Sequence, residues 1–182
     1  TRQDIEHWDY WCVDTNLPTD TLHYLASEKA ARMLFAVVTS PAKAHRLRQL
    51  LPTLDAVFVN RAEASILVNS NTAASQTIEE QARALCDLGA LRAIVTAGAD
   101  GAAWACPDNF GHIDCPTINP QSVSGAGDVL AGTTMAALLS GETLEQALTY
   151  GTCAATLSTL SDMNDPQLSW SMIKDNLVHN DA

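Results

Sequence analysis

"AVFVNRAEASILV", Ala56–Val68, decides the fold class. An apolar run ends at Asn60, and a helical segment, Arg61–Val68, begins at once. A strand feeding straight into a helix is the repeating unit of a parallel βαβ sheet. The same alternation is written on both sides of it. "YWCVD" (Tyr10–Asp14) reads as a short buried strand. A helix from Thr19 follows, with Leu22, Leu25, Ala26, Lys29 and Ala30 at helical spacing. "MLFAVV" (Met33–Val38) is the next strand. Ser40-Pro41 supplies an N-cap and an N1 proline for a helix predicted to reach about Leu51, ahead of Pro52. After the polar loop "NSNTAASQ", Thr77 and Glu80 make a capping box for a helix ending at Gly89. "LRAIVT" (Leu91–Thr96) is a fourth strand, and "GAAWAC" and "GHIDC" are predicted as a hairpin about the Pro107–Phe110 turn. Two long helices, about Gly125–Leu139 and Leu144–Leu160, are parted at Gly141, with Thr143 and Gln146 capping the second. A short helix is predicted after Ser169. The expectation is an α/β fold: a mostly parallel sheet with helices on both faces and right-handed crossovers. No repeat or linker interrupts it, so residues 1–182 read as one partial domain.

The apolar fraction, 47%, supports a sizeable core, and aromatics are only 5%, which suits α/β better than a β-sandwich. A formal charge of −11 argues against a non-specific grip on nucleic acid or anionic membrane. It leaves room for a phosphorylated ligand, because backbone N–H groups can build a local anion site. Cys12, Cys86, Cys106, Cys115 and Cys153 are odd in number and scattered, with no C-x-x-C, so a reducing, cytoplasmic setting is expected. No apolar run approaches the ~18 residues of a membrane span, and no signal peptide is visible. The opening "TRQDIEHWDYWCVDTN" reads as mid-domain sequence, and further chain upstream is expected.

Chemistry concentrates in "SVSGAGDVLAG", residues 122–132. Ser124 is a good N-cap, and Gly125, Ala126 and Gly127 let an anion approach the backbone. The first N–H groups of a helix lack partners and carry the positive end of its dipole. Asp128, in the first turn, is poorly placed to bind phosphate and well placed to take a proton. A base facing an anion hole is what phosphorylation of a hydroxyl requires. A plain helix start with small residues reads the same way. Other motifs fail: the dinucleotide fingerprint needs Gly at 130, which is Leu; no Gly is followed by Lys; and a hydrolase elbow needs Gly at 122, which is Ser. Two further segments lie at strand ends. "VTAGADG" (Val95–Gly101) leaves a strand through Thr96, Gly98 and Gly101, a place for a nucleotide phosphate or a plain turn into a hairpin. "NRAE" (Asn60–Glu63) reads as a capping box, or as Asn60 near phosphate with Glu63 ordering water around Mg²⁺.

Taken in order, these segments resemble the ribokinase-like (PfkB) carbohydrate and nucleoside kinase family: N-x-x-E, then a strand ending T-x-G-x-x-G, then a G-A-G-D helix start. The resemblance implies Asp128 as catalytic base and Gly125, Ala126 and Gly127 as anion hole. It implies Asn60, Glu63, Thr96, Gly98 and Gly101 around ATP phosphates, with Glu63 meeting Mg²⁺ indirectly, through water. "YGTCAATLS" (Tyr150–Ser158) would flank adenine, bringing in Gly151, Cys153 and Ala154. ATP and Mg²⁺ are the implied cofactors, with a monovalent cation as a further option. The implied partner is a small sugar or nucleoside, with neither nucleic acid nor membrane. "NRAEASIL", "VSGAGD" and "NDPQLS" (Asn164–Ser169) look most like the pseudouridine kinase branch.

Thr39 stands where many members carry Asp, Ser122 where an acid is usual, and Thr133 where Gly or Ala is usual. Family members begin with a glycine-rich substrate-binding half and a β-sheet lid that commonly mediates homodimers. No such segment occurs here, so the fragment alone is expected to be inactive. Two alternatives stay open: a vitamin or pyrimidine-precursor kinase of the same superfamily, and a catalytically silent, kinase-derived nucleotide-binding or scaffold protein. Lys43, His45, Arg46 and Arg48 read as a solvated basic face. Cys106, His112, Asp114 and Cys115 fit no common zinc spacing.

Overall fold

Six strands hydrogen-bond in the order in which the chain makes them: β1 (Tyr10–Asp14), β2 (Met33–Val37), β3 (Ala56–Asn60), β4 (Ala93–Thr96), β5 (Ala102–Cys106) and β6 (Asn109–Ile113). The structure, a computed structural model, describes residues 7–69, 75–116, 118–160 and 168–180. The first four strands are parallel, in the register Tyr10↔Met33, Phe35↔Ala56 and Val57↔Ala93. Ala56, Val57, Phe58 and Val59 are all buried although successive side chains point to opposite faces, so both faces of the sheet are covered.

The chain divides into two compact units. The first holds Thr1–Thr96 with Ala103–Gly111, and the second holds Ala97–Ala102 with His112–Ala182. In the first, the crossovers are α1 (Thr19–Ser27), the short α2 (Pro41–Ala44) with a 3₁₀ segment (His45–Thr53), and α3 (Arg61–Val68) with α4 (Ile78–Asp87). Right-handed crossovers between successive neighbours keep their helices on one side of a sheet. Here α1 touches the 3₁₀ segment, α2 touches α3, and α3 touches α4. In the second unit, α5 (Ala126–Leu139) and α6 (Leu144–Thr159) pack along each other. The helix α7 (Trp170–Asn180) closes on α6 through Ile173, beside Cys153 and Ala154. The Tyr150 and Trp170 rings meet edge to face at 5.8 Å. Among the described residues, no helix is long and apolar enough to cross a membrane.

Several sequence expectations need correction. The helix expected from Pro41 to about Leu51 is one α turn followed by 3₁₀ winding, with Pro52 inside it. Pro52 has no N–H for the Arg48 carbonyl, so α winding cannot continue there. Of the basic residues expected to form a solvated face, His45 is exposed, while Lys43, Arg46 and Arg48 are half-buried and engaged. Lys43 Nζ donates to Asn16 Oδ1 at 2.6 Å, Arg46 Nη1 donates to the Thr15 and Leu17 carbonyls, and Arg48 Nη1 donates to the Leu67 carbonyl. They tie the β1–α1 connection and the end of α3 in place. β6 starts at Asn109, two residues ahead of "GHIDC", because the turn closes on Pro107 and Asp108 alone. β4 starts at Ala93, not Leu91. Residues 70–74 of the polar loop, and Asn164–Gln167, lie outside the described residues.

Asp55 sets the start of the β2–β3 pairing. Its N–H donates to the Leu34 carbonyl at 2.8 Å, and its Oδ2 accepts from Leu34 N–H at 2.7 Å. Lys29 Nζ lies 2.5 Å from the same oxygen and also donates to the Thr53 carbonyl. Asp55→Ala leaves the Leu34 N–H without its acceptor and the half-buried Lys29 ammonium with the Thr53 carbonyl but without its carboxylate. Urea denaturation should show a loss of roughly 1–3 kcal/mol, after discounting for partial exposure, and Asp55→Asn a smaller one.

Candidate functional site

The C-terminal ends of β3 and β4 lie side by side: Asn60 and Thr96 are register partners in the parallel ladder. Asn60 turns from strand to helix and caps α3. Its Oδ1 accepts from Glu63 N–H at 3.0 Å, while Glu63 Oε2 accepts from Asn60 N–H at 2.9 Å. The capping box anticipated in "NRAE" is therefore complete. Glu63 is buried, and burial pushes its carboxyl above the ordinary 4.5, against the opposing pull of the Asn60 bonds. Thr96 is half-buried, and its hydroxyl reaches the Val59 carbonyl at 3.4 Å. Along the same edge, the Thr15 and Thr39 hydroxyls are 3.1 Å apart, and Thr39 N–H donates to Thr15 Oγ1. This second polar pair escaped the sequence reading, since the two residues lie on different loops. The Thr-for-Asp departure at 39 was its only signal.

In the second unit, Gly98 opens a 3₁₀ turn, Gly98–Asp100, at φ 60°, with open space where a Cβ would stand. Gly101 closes it at φ 82°, and Ala97 N–H donates to the Gly101 carbonyl at 2.9 Å. A Cβ on Gly101 would collide with the Ile113 carbonyl and His112. Gly101 is thus required by the turn into β5, whereas Gly98 leaves its backbone accessible.

The start of α5 has no side-chain cap, as at α1 and α2, but alone among the described helix starts it is entered through a left-handed glycine. α3, α4 and α6 each close with a capping box, Asn60/Glu63, Thr77/Glu80 and Thr143/Gln146. The N-cap of α5 is not the expected Ser124. It is Gly125, at φ 79°, and no side chain caps the helix. A side-chain cap needs an extended residue at this position, whereas the chain enters α5 through a left-handed turn that glycine tolerates. Among the described residues, nothing accepts a hydrogen bond from the N–H of Gly127 or Asp128. The space that side chains at Gly125 and Gly127 would occupy is empty. Ala126 is half-buried at N1, and Asp128 is exposed in the first turn, with no hydrogen bond or ion pair among the described residues. The helix start therefore offers free donors, an unobstructed approach and a free carboxylate.

Gly151, Cys153 and Ala154 lie buried in α6. Gly151 faces Thr134 and Leu130 of α5, and Cys153 Sγ donates to the Ile173 carbonyl at 3.5 Å. Burial pushes the Cys153 thiol up. These groups are occupied by helix packing. Among the described residues, no group of three or more His, Cys, Asp or Glu could hold a metal ion.

The fold is that of the ribokinase-like kinases. A carbohydrate kinase from Agrobacterium tumefaciens superposes with a TM-score of 0.82 at 30% identity, over 97% of this chain and 56% of that one. Residues 2–165 match the family described as pfkB family carbohydrate kinase, and the chain belongs to it. The ATP-dependent 6-phosphofructokinase isozyme 2 of Escherichia coli (strain K12) is 26% identical over 163 residues, which is 87% of this chain and 53% of that protein. The ribokinase of Haemophilus influenzae is 29% identical over 135 residues, 74% of this chain and 44% of that protein. The chain thus spans about half the length of the curated relatives it matches.

Glu63 gives this site a pH signature. A carboxyl raised above 4.5 in the folded state favours folding most below 4.5, and that contribution is lost as pH climbs through the folded value. Glu63→Gln keeps an acceptor for Asn60 N–H and removes the titration. Urea midpoints from pH 4 to 7 should show the Gln variant gaining on the wild type as pH rises. A difference that stays constant across that range would place Glu63 at its ordinary value.

Proposed function

We propose that this chain carries the phosphate-binding and proton-accepting part of an ATP-dependent kinase acting on a hydroxyl of a sugar or nucleoside. The observation that carries the reading is the start of α5: N–H donors at Gly127 and Asp128 and an Asp128 carboxylate that have no partner among the described residues, and open glycine faces at 125 and 127. Membership of the pfkB family supports it. In the reaction, Asp128 takes the acceptor hydroxyl's proton as its oxygen bonds to the γ-phosphorus and the bond to ADP breaks. The N–H groups of Gly127 and Asp128 meet the negative charge on the transferring group, already oriented by the helix; that of Ala126 is engaged by the Val123 carbonyl at 3.4 Å. By family membership, Thr96, its register partner Asn60 and the open backbone of Gly98 are assigned to the nucleotide phosphates.

Magnesium accompanying the nucleotide would offset phosphate charge. Glu63 fits only an outer position, through water, because one of its oxygens already accepts from Asn60 N–H. Gly151, Cys153 and Ala154 would bear on adenine only through the packing of α6. The two curated relatives described above are named for ribose and a fructose phosphate, which favours a sugar acceptor and leaves pseudouridine as a comparison arm.

Asp128→Asn tests the assignment. In a complete kinase carrying this chain, with ribose, fructose phosphates and pseudouridine offered as acceptors, kcat should fall on the order of 10²–10⁴, the range of a lost general base. ATP affinity should hold, because the anion hole is backbone. A purely structural Asp would instead cost roughly 0.3–1 kcal/mol of stability with normal turnover. Near wild-type kcat with a lowered Tm would overturn the assignment.

A further inference from the structure

We infer that Gly151 is a positioning residue for the α5 anion hole, acting through helix packing and without touching a ligand; this rests on the reading of Gly125–Asp128 as a phosphate site. Gly151 lies in α6, buried against α5. A Cβ there would run into Thr134 Oγ1 and would stand 2.8 Å from the Leu130 carbonyl oxygen. Thr134 is fully buried, and its hydroxyl has no hydrogen-bond partner among the described residues. The contact between the helices is therefore steric: α6 approaches α5 as closely as a missing side chain allows. Leu130 and Thr134 sit on the helix whose first turn holds Gly127 and Asp128.

A second contact comes from the other end of α6. The Thr159 carbonyl accepts from Gln121 N–H at 2.8 Å and Ser122 N–H at 3.3 Å. These residues belong to the segment that leads into Gly125. α6 therefore holds the anion hole twice, through the body of α5 and through the loop before it. Pushing the helices apart at Gly151 while Thr159 keeps its grip on Gln121 must distort what lies between, the Ser124–Asp128 turn. Other glycines of α5 carry no such constraint, since Gly127 and Gly132 face open space.

The test uses the 182-residue chain with two readouts. Amide ¹H–¹⁵N shifts of Gly125, Gly127 and Asp128 without ligand report the turn itself. MgATP titration reports the site. Alanine suits a helix better than glycine, so Gly132→Ala should raise Tm slightly and leave those amides in place. Gly151→Ala should move them and weaken MgATP on the order of tenfold, as a small misplacement of a preorganised group does. Adding Thr134→Ala, which removes the nearest colliding atom, should restore part of both. Unmoved amides in folded Gly151→Ala would overturn the proposal. Should that variant fail to fold, the Gly151→Ala/Thr134→Ala pair decides: recovery of fold and amide positions supports the proposal, and failure of both variants overturns it. Amides that move while the wild type itself binds no MgATP would sustain the packing role and remove the phosphate reading on which its purpose depends.

Discussion

An α-helix begins with N–H groups that nothing inside the helix can satisfy. Three helices, α3, α4 and α6, satisfy them locally with reciprocal side-chain caps. α5 leaves the demand open. Gly125 supplies a left-handed turn and no capping group, so at the positive end of a 14-residue helix the Gly127 and Asp128 donors have no partner among the described residues. An uncapped start costs stability, and a bound anion would return it. The packing of α6 against α5, down to the missing side chain at Gly151, keeps this exposed end from drifting.

The first unit solves a different problem, that of holding polar groups at the end of a buried sheet. β3 and β4 are apolar until their last residues, Asn60 and Thr96, which emerge together at the same edge. Glu63 is drawn under that edge by the cap it shares with Asn60, at the expense of desolvating its carboxyl. The cap and any role toward metal-bound water therefore compete for one side chain. Asn60 decides how much of that carboxylate stays available.

Local chemistry was legible in the sequence. The strand limits at Tyr10–Asp14 and Ala56–Asn60 and the three capping boxes depend on neighbours within a few residues, and the structure places them as read. What depends on distant partners was not legible. Arg46 reads as a solvated base until the β1–α1 loop comes within reach of its guanidinium. Gly151 enters the sequence reading only as a residue implied to flank adenine, and its close approach to Thr134 across the helix interface cannot be read from its neighbours in the chain. Ser124 has the right chemistry for a cap, but nothing local shows that the backbone turns one residue later. In the candidate site, residue types and their order along the chain could be read, while the free or engaged state of each group could not.

The order of the sheet also bears on how the chain acquires its shape. From β1 to β4, every strand pairs with the one made just before it, so Met33 finds Tyr10 and Ala56 finds Phe35 without waiting for residues further on. A growing chain can add each helix and strand to an edge that is already formed, and separations between partners stay short for a parallel sheet. Asp55 acts at one of these additions, gripping Leu34 as β3 arrives. During synthesis, the foremost strand is always an open edge awaiting its successor. The interval between β3 and β4, which spans two helices, is the longest such wait, and a pause there would leave the apolar edge of β3 exposed to pairing with another molecule.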